Sequence, residues 1–280
     1  IPTGFKELDE VICGWQRGEE YAVIVARTGN GKSWVCVKMA QHAWLMGENV
    51  GYISPEMSAV KIGYRFDTIN HNFSNKALVR GDTSAISKDE YNKYFEELSS
   101  KENKFFVSTP LDFNKKITVS KIRNYIVQNN LSILFIDGIT YLTDERYKRG
   151  DNKTTTLTNI SEDLMQLTTD VDIPIIVVVQ SNRGGVKEDA SATPELEDIR
   201  DSDGISHNAT KVLSLKKKDE ALTMAIKKNR DGITGTSLEY QWDPDTGDFT
   251  YIPTAAKKDF KETDEVVQKQ KPKKEGRIAF

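Results

Sequence analysis

Five consecutive residues near the start of the chain, Gly29-Asn30-Gly31-Lys32-Ser33, have the types and order that hold phosphate. They follow an apolar run, Tyr21–Ala26, and open a long stretch of helical character. A strand that breaks into a glycine-rich turn before a helix aims successive backbone N–H groups and the positive end of the helix dipole at one point. An anion is stabilised there. Residues Arg27, Thr28, Gly29, Asn30, Gly31, Lys32 and Ser33 form the expected cradle, with the Lys32 ammonium on the outer phosphates and the Ser33 hydroxyl on Mg²⁺. Ala26 stands where the pattern G-x-x-x-x-G-K-[ST] has its first glycine, and alanine fits there if φ is negative. The chemistry implied is the binding of a nucleoside triphosphate.

Three further polar residues stand at the ends of apolar strand-like runs. Asp137 closes the run Leu131-Ser132-Ile133-Leu134-Phe135-Ile136. A carboxylate at the C-terminal end of a central strand lies where open α/β sheets bind ligands, and with Ser33 it could hold Mg²⁺. Standing alone, such an Asp would merely open a turn. Glu56 follows the run at 50–54 and could face the γ-phosphate as general base, although acidic residues also suit the first turn of a helix. Gln180 ends the run Ile175–Gln180, where it could sense the γ-phosphate or simply cap the strand.

The elements needed to place these residues are legible in outline. Short β-branched runs alternate with helical stretches from Tyr21 to about Ile226, which predicts a parallel sheet covered by helices. The expected strands are Tyr21–Ala26, 50–54, Phe105–Ser108, 132–137, Ile175–Gln180, 210–215 and 222–227. Helices are expected from Lys32 to a cap at Gly47, from Ser87 with a capping box, and from about Thr118. Beyond Lys228, the runs 238–242 and 249–252 flank Asp243-Pro244-Asp245-Thr246-Gly247 and predict a β-hairpin. From residue 255 the composition turns Lys/Glu-rich, so the expected organisation is one domain over 1–254 and a flexible charged tail over 255–280.

Composition narrows the classes. At 280 residues, 38% apolar and 29% charged, the chain suits one large α/β domain. No apolar run is long enough to span a membrane. Cys13 and Cys36 lack metal-ligand spacing, as expected of a reducing cytoplasm. A net charge of −3 means that nucleic-acid binding would need local basic loops or a channel formed by several chains. The chain begins Ile1-Pro2-Thr3-Gly4 without methionine, as expected of a piece trimmed from something longer.

In this order the pieces resemble the motor domain of DnaB-type replicative helicases, a hexameric branch of the RecA-like ATPases. The resemblance covers about residues 1 to 252. It begins at Ile1-Pro2-Thr3-Gly4-Phe5 and Gly14-Trp15-Gln16-Arg17-Gly18, and takes in the phosphate loop, Glu56-Met57-Ser58, Asp137 and Gln180. It ends with the run at 194–205 and with Lys227-Lys228-Asn229-Arg230. It implies a RecA-like P-loop core, ATP and Mg²⁺ as cofactors, a homohexameric ring and 5'-3' travel on single-stranded DNA. It also implies a primase and a helicase loader as partners. By the same resemblance Lys228 and Arg230 would reach the γ-phosphate of the neighbouring subunit, and the domain that usually precedes the motor would lie outside this sequence.

DNA would be gripped by pore loops, for which Arg146, Lys148 and Arg149, and Arg183 and Lys187, are the candidates. The Ser-Pro-Glu-Met variation and the acidic residues after Lys187 suit a divergent member, such as a bacteriophage one acting in the cytoplasm of a bacterial host. Two rivals stay open: a RecA-like recombinase or other RecA-core ATPase, and a DNA-binding or loader module that uses ATP as a switch without hydrolysing it.

Overall fold

The computed structural model describes residues 1–181, 193–195 and 203–253. Among them nine strands form one sheet in the order β3-β2-β4-β5-β1-β6-β7-β8-β9. The strands are β1 (Tyr21–Ala26), β2 (Val50–Ile53), β3 (Phe105–Ser108), β4 (Ile133–Ile136), β5 (Ile175–Gln180), β6 (Lys211–Lys218), β7 (Ala221–Asn229), β8 (Ser237–Asp243) and β9 (Asp248–Ile252). The first six are parallel to their neighbours, and the last three continue the sheet in antiparallel fashion. The helices are α1 (Lys6–Ile12), α2 (Lys32–Leu45), α3 (Ala59–His71), α4 (Asn75–Arg80), α5 (Lys88–Ser99), α6 (Val119–Gln128), α7 (Lys153–Val171) and α8 (Asp203–Asn208). This is the mostly parallel α/β sheet of a RecA-like P-loop core.

The central strands read as unbroken apolar runs because both faces of the sheet are covered. Successive side chains of β1 divide between two cores. Ala22, Ile24 and Ala26 pack with Val35, Met39 and Ala43 of α2, whereas Tyr21, Val23 and Val25 join Ile122 of α6 and Ile160 and Leu164 of α7. Strands β4 and β5 divide in the same way. The C-terminal ends of β1, β2, β4 and β5 therefore stand side by side on a rigid platform.

Several helix starts have the caps expected of them. The hydroxyls of Ser58, Ser74, Ser87 and Thr118 each accept a backbone N–H from the first turn of α3, α4, α5 and α6. One expectation needs correction. The runs at 210–215 and 222–227 are not both parallel strands: β6 and β7 are longer and form an antiparallel hairpin. Only Asp219 and Glu220 separate them, and Asp219 takes a left-handed φ of +54°. Two residues cannot hold the crossover that a parallel pair needs. The expected tail at 255–280 lies outside the described residues.

Candidate nucleotide site

The loop after β1 is shaped by two glycines in left-handed conformation, Gly29 at φ +81° and Gly31 at φ +78°. Gly31 is also the N-cap of α2, and its carbonyl accepts the N–H of Val35 at 3.0 Å. This puts the start of a 14-residue helix directly behind the turn, the arrangement that favours an anion. The Lys32 ammonium donates to the carbonyls of Ala26 (3.0 Å) and Arg27 (2.9 Å), so it lies across the mouth of the loop. Burial lowers its pKa, and the charges of Asp137 and Glu56 oppose that shift. A cleft of about 700 Å³ opens here, lined by Thr28, Lys32, Ser33, Glu56, Asp137 and Gln180 among others.

Asp137 is the first residue past β4 and is buried, its N–H held by the carbonyl of Ile53 at 2.9 Å. Its carboxylate accepts the Tyr52 hydroxyl at 3.0 Å and is hydrogen-bonded to the Ser33 hydroxyl. Burial raises its pKa; the hydrogen bonds from Ser33 and Tyr52 and the nearby Arg65 charge pull the other way. Two oxygen donors, one from the phosphate loop and one from the adjoining strand, therefore meet at the helix start. That donor set suits a hard cation that keeps most of its shell for water and phosphate, as Mg²⁺ does.

Glu56 stands just past β2 at the exposed side of the cleft. The Tyr141 hydroxyl donates to its Oε1 at 2.6 Å, and this bond is the main cause that pushes the Tyr141 pKa up to about 12. The turn carrying Glu56 is braced by the Ser54 hydroxyl, which donates to the carbonyl of Met57 at 2.9 Å. Gln180, opposite Ala26 in the β1–β5 register, donates through its side-chain amide to the Thr28 hydroxyl. The strand-end glutamine thus touches the phosphate loop itself. Lys32, Ser33, Glu56, Asp137 and Gln180, remote in sequence, share one cleft.

Lys228 and Arg230 are elsewhere. Lys228 pairs with Val212, which pairs in turn with Val23 near the start of β1, and the N–H of Arg230 donates to the carbonyl of Thr210 at 3.0 Å. Both stand at the end of the sheet opposite the phosphate loop. The Lys228 ammonium donates to the carbonyls of Ser206 and His207, both at 2.9 Å; burial and the Arg230 charge lower its pKa. Beneath them lies a buried ion pair, Lys211 with Glu20, in which Lys211 also donates to the Gly14 carbonyl at 3.1 Å and Glu20 accepts the Thr210 hydroxyl.

Of the basic loop residues, Arg146 is held by Glu162 (2.9 Å), Asp163 (3.3 Å) and the carbonyl of Asn159 (2.7 Å), all on α7. Lys148 and Arg149 are exposed at the turn before α7. Arg183 and Lys187 lie outside the described residues, as does most of the run at 194–205.

Four residues of the cleft escaped the sequence reading: Tyr52, Arg65, Tyr141 and Trp242. Tyr52 carried a usable signal, since a hydroxyl inside an apolar strand must find a partner. Arg65, 5.1 Å from the ring centroid of Trp34, carried none, because its place depends on how α3 packs across the start of α2.

Comparison with known proteins agrees with this geometry. The family described as DnaB-like helicase C terminal domain matches residues 1–250. A probable plasmid replicative DNA helicase of Chlamydia trachomatis is 29% identical over 256 residues, covering 90% of this chain and 55% of that protein. The replicative DNA helicase DnaC of Bacillus subtilis is 27% identical over 250 residues, covering 84% and 53%. The chain thus spans about half the length of the curated relatives it matches. Among solved structures, an isolated ATPase domain superposes with a TM-score of 0.78 at 22% identity, covering 90% of this chain and 91% of that one. A DnaB-like replicative helicase studied with its interactions with primase gives 0.76 at 22% identity, covering 89% and 61%.

Proposed function

The chain belongs to the DnaB-like helicase C-terminal domain family, and on that premise we propose that it is the ATP-driven motor of a ring-shaped replicative helicase. In this reading it moves along single-stranded DNA in the bacterial cytoplasm, with 5'-3' polarity, and parts the duplex ahead of it. One observation carries the reading. Five candidate catalytic groups converge on the phosphate loop, while Lys228 and Arg230 occupy the opposite end of the sheet. A cation so placed can serve a γ-phosphate only if that phosphate belongs to a neighbour.

The residues divide the work as follows. The loop amides and Lys32 hold the triphosphate. Mg²⁺, held by Ser33 and Asp137, would neutralise charge on the phosphate oxygens. Glu56, oriented by Tyr141, takes the proton of the attacking water as the bond to the ADP oxygen breaks and phosphate leaves. Gln180 links the γ-phosphate to Thr28 and to the chain that follows β5. Arg230, supplied by the next subunit, stabilises the charge that develops on the transferring group. Lys148 and Arg149 are the described cations proposed to track DNA phosphates. A primase and a loader are the proposed partners of the assembled ring; the primase is suggested by the relative studied with one.

The test separates binding from turnover. Lys32→Ala should lose ATP binding, whereas Glu56→Gln should keep it and lose about 10²–10⁴-fold in turnover. Undiminished turnover in Glu56→Gln would remove the proposed base.

A further inference from the structure

The terminal hairpin β8–β9 reaches the phosphate loop, and the roles assigned above give it no task. Trp242, in β8, is 4% exposed and borders the nucleotide cleft. The benzo edge of its indole faces Gly31: a Cβ on that glycine would meet Cζ3 at 3.0 Å and Cη2 at 3.2 Å. Gly31 is the left-handed residue that caps α2 and brings the loop amides and the helix start to a common focus.

The ring is itself held firmly. Phe249 stacks on it with centroids 5.9 Å apart and planes 6° from parallel. The Lys217 ammonium lies 4.7 Å from its centroid, and Trp34, in the first turn of α2, meets it edge-on at 6.1 Å. The hairpin turn is pinned as well. The Asp245 carboxylate accepts the Ser74 hydroxyl (3.0 Å) and the Lys76 N–H (2.8 Å), and its carbonyl accepts the N–H of Asn75 (3.0 Å). These three donors are the N-cap and first turn of α4, so the hairpin is latched to the helical layer two residues beyond the tryptophan's strand.

We propose that Trp242 is a positioning residue for the phosphate loop. Anchored through the β8–β9 turn to the start of α4, its ring is a wall that keeps Gly31 in the left-handed conformation that phosphate binding needs. The inference rests on the nucleotide reading above and adds a residue to it. A loop with two glycines loses much backbone freedom when ordered. A wall that removes competing conformations raises the fraction of molecules ready to bind, and the apparent Kd falls in proportion. The contact is with the loop and not with the reacting groups, so its loss acts on affinity and leaves the hydrolytic step intact.

The experiment measures binding of a fluorescent ATP analogue with Mg²⁺, together with steady-state hydrolysis. It compares the parent chain with Trp242→Leu, Trp242→Phe and Asp245→Ala, each checked by thermal melting. Trp242→Leu should raise Kd and KM about tenfold or more with kcat changed less than about threefold. Trp242→Phe, which restores an aromatic edge, should return Kd to within about threefold of the parent, and Asp245→Ala should raise it in the same direction by less. Parent-like affinity in a destabilised Trp242→Leu would overturn the proposal and leave Trp242 as core packing. Should Trp242→Leu fail to fold, Asp245→Ala decides, and an unchanged Kd there overturns the proposal equally. If the parent itself does not bind the analogue, the nucleotide reading fails first and takes this inference with it.

Discussion

A Glu56→Gln chain and an Arg230→Ala chain should each be nearly inactive alone and recover activity when mixed. The reasoning rests on one distance. Arg230 is tied to Thr210, beside the start of β1, and the phosphate loop begins at the other end of that strand. Six residues at about 3.3 Å each separate the two levels by roughly 20 Å, too far for an arginine to serve its own loop. An arginine delivered to the γ-phosphate is worth about 10³–10⁵ in rate, so each single variant should fall by orders of magnitude. In an equimolar ring assembled at random, about one interface in four joins an intact Glu56 to an intact Arg230. The assay is steady-state ATP hydrolysis after subunit exchange, compared with the sum of the separate variants. Recovery to the order of one quarter of the parent rate supports a shared site. A mixture no faster than that sum would refute the reasoning, as would a fully active Arg230→Ala.

The remaining predictions concern the supports of the site. Lys211→Met leaves Glu20 buried without its cation and should cost about 3–5 kcal/mol, or on the order of 10 °C in Tm for a domain of this size. Glu20→Leu added to Lys211→Met should recover part of the loss, and a change below about 1 kcal/mol for Lys211→Met would show that the pair is not buried as described. Asp137→Asn should raise the Tm of the nucleotide-free chain at pH 7 while abolishing hydrolysis. Burial raises the folded pKa of Asp137, so its contribution to stability is greatest below the ordinary carboxylate pKa of 3.8 and is lost as pH rises through the raised value. The Tm advantage of Asp137→Asn should therefore shrink as pH falls towards that range; a gain independent of pH would contradict the assignment.

Much of the site was legible because its signals are local. The bounds of β1, β3 and β5, the phosphate loop and the caps at Ser87 and Thr118 follow from apolar runs, glycines and hydroxyls within a few residues of each other. The antiparallel turn between β6 and β7 was also within reach, since six residues between two runs leave no room for a crossover helix. What could not be read depends on packing between distant segments. Tyr52 meets Asp137 across 85 positions, and Trp242 reaches Gly31 only because the antiparallel strands extend the sheet and fold the hairpin over α2. Arg146 looked like a free cation because the α7 helix that brings Glu162 and Asp163 to it was not delineated from its periodicity.

The most direct test of the central claim is the rate of ATP hydrolysis as single-stranded DNA is titrated into the parent chain, Lys32→Ala and the double variant Lys148→Ala/Arg149→Ala. DNA should stimulate the parent, Lys32→Ala should be inactive throughout, and the double variant should keep the DNA-free rate while needing more DNA for the same stimulation. If the parent binds ATP but does not turn it over, or turns it over at a rate indifferent to DNA, this chain is not a DNA motor.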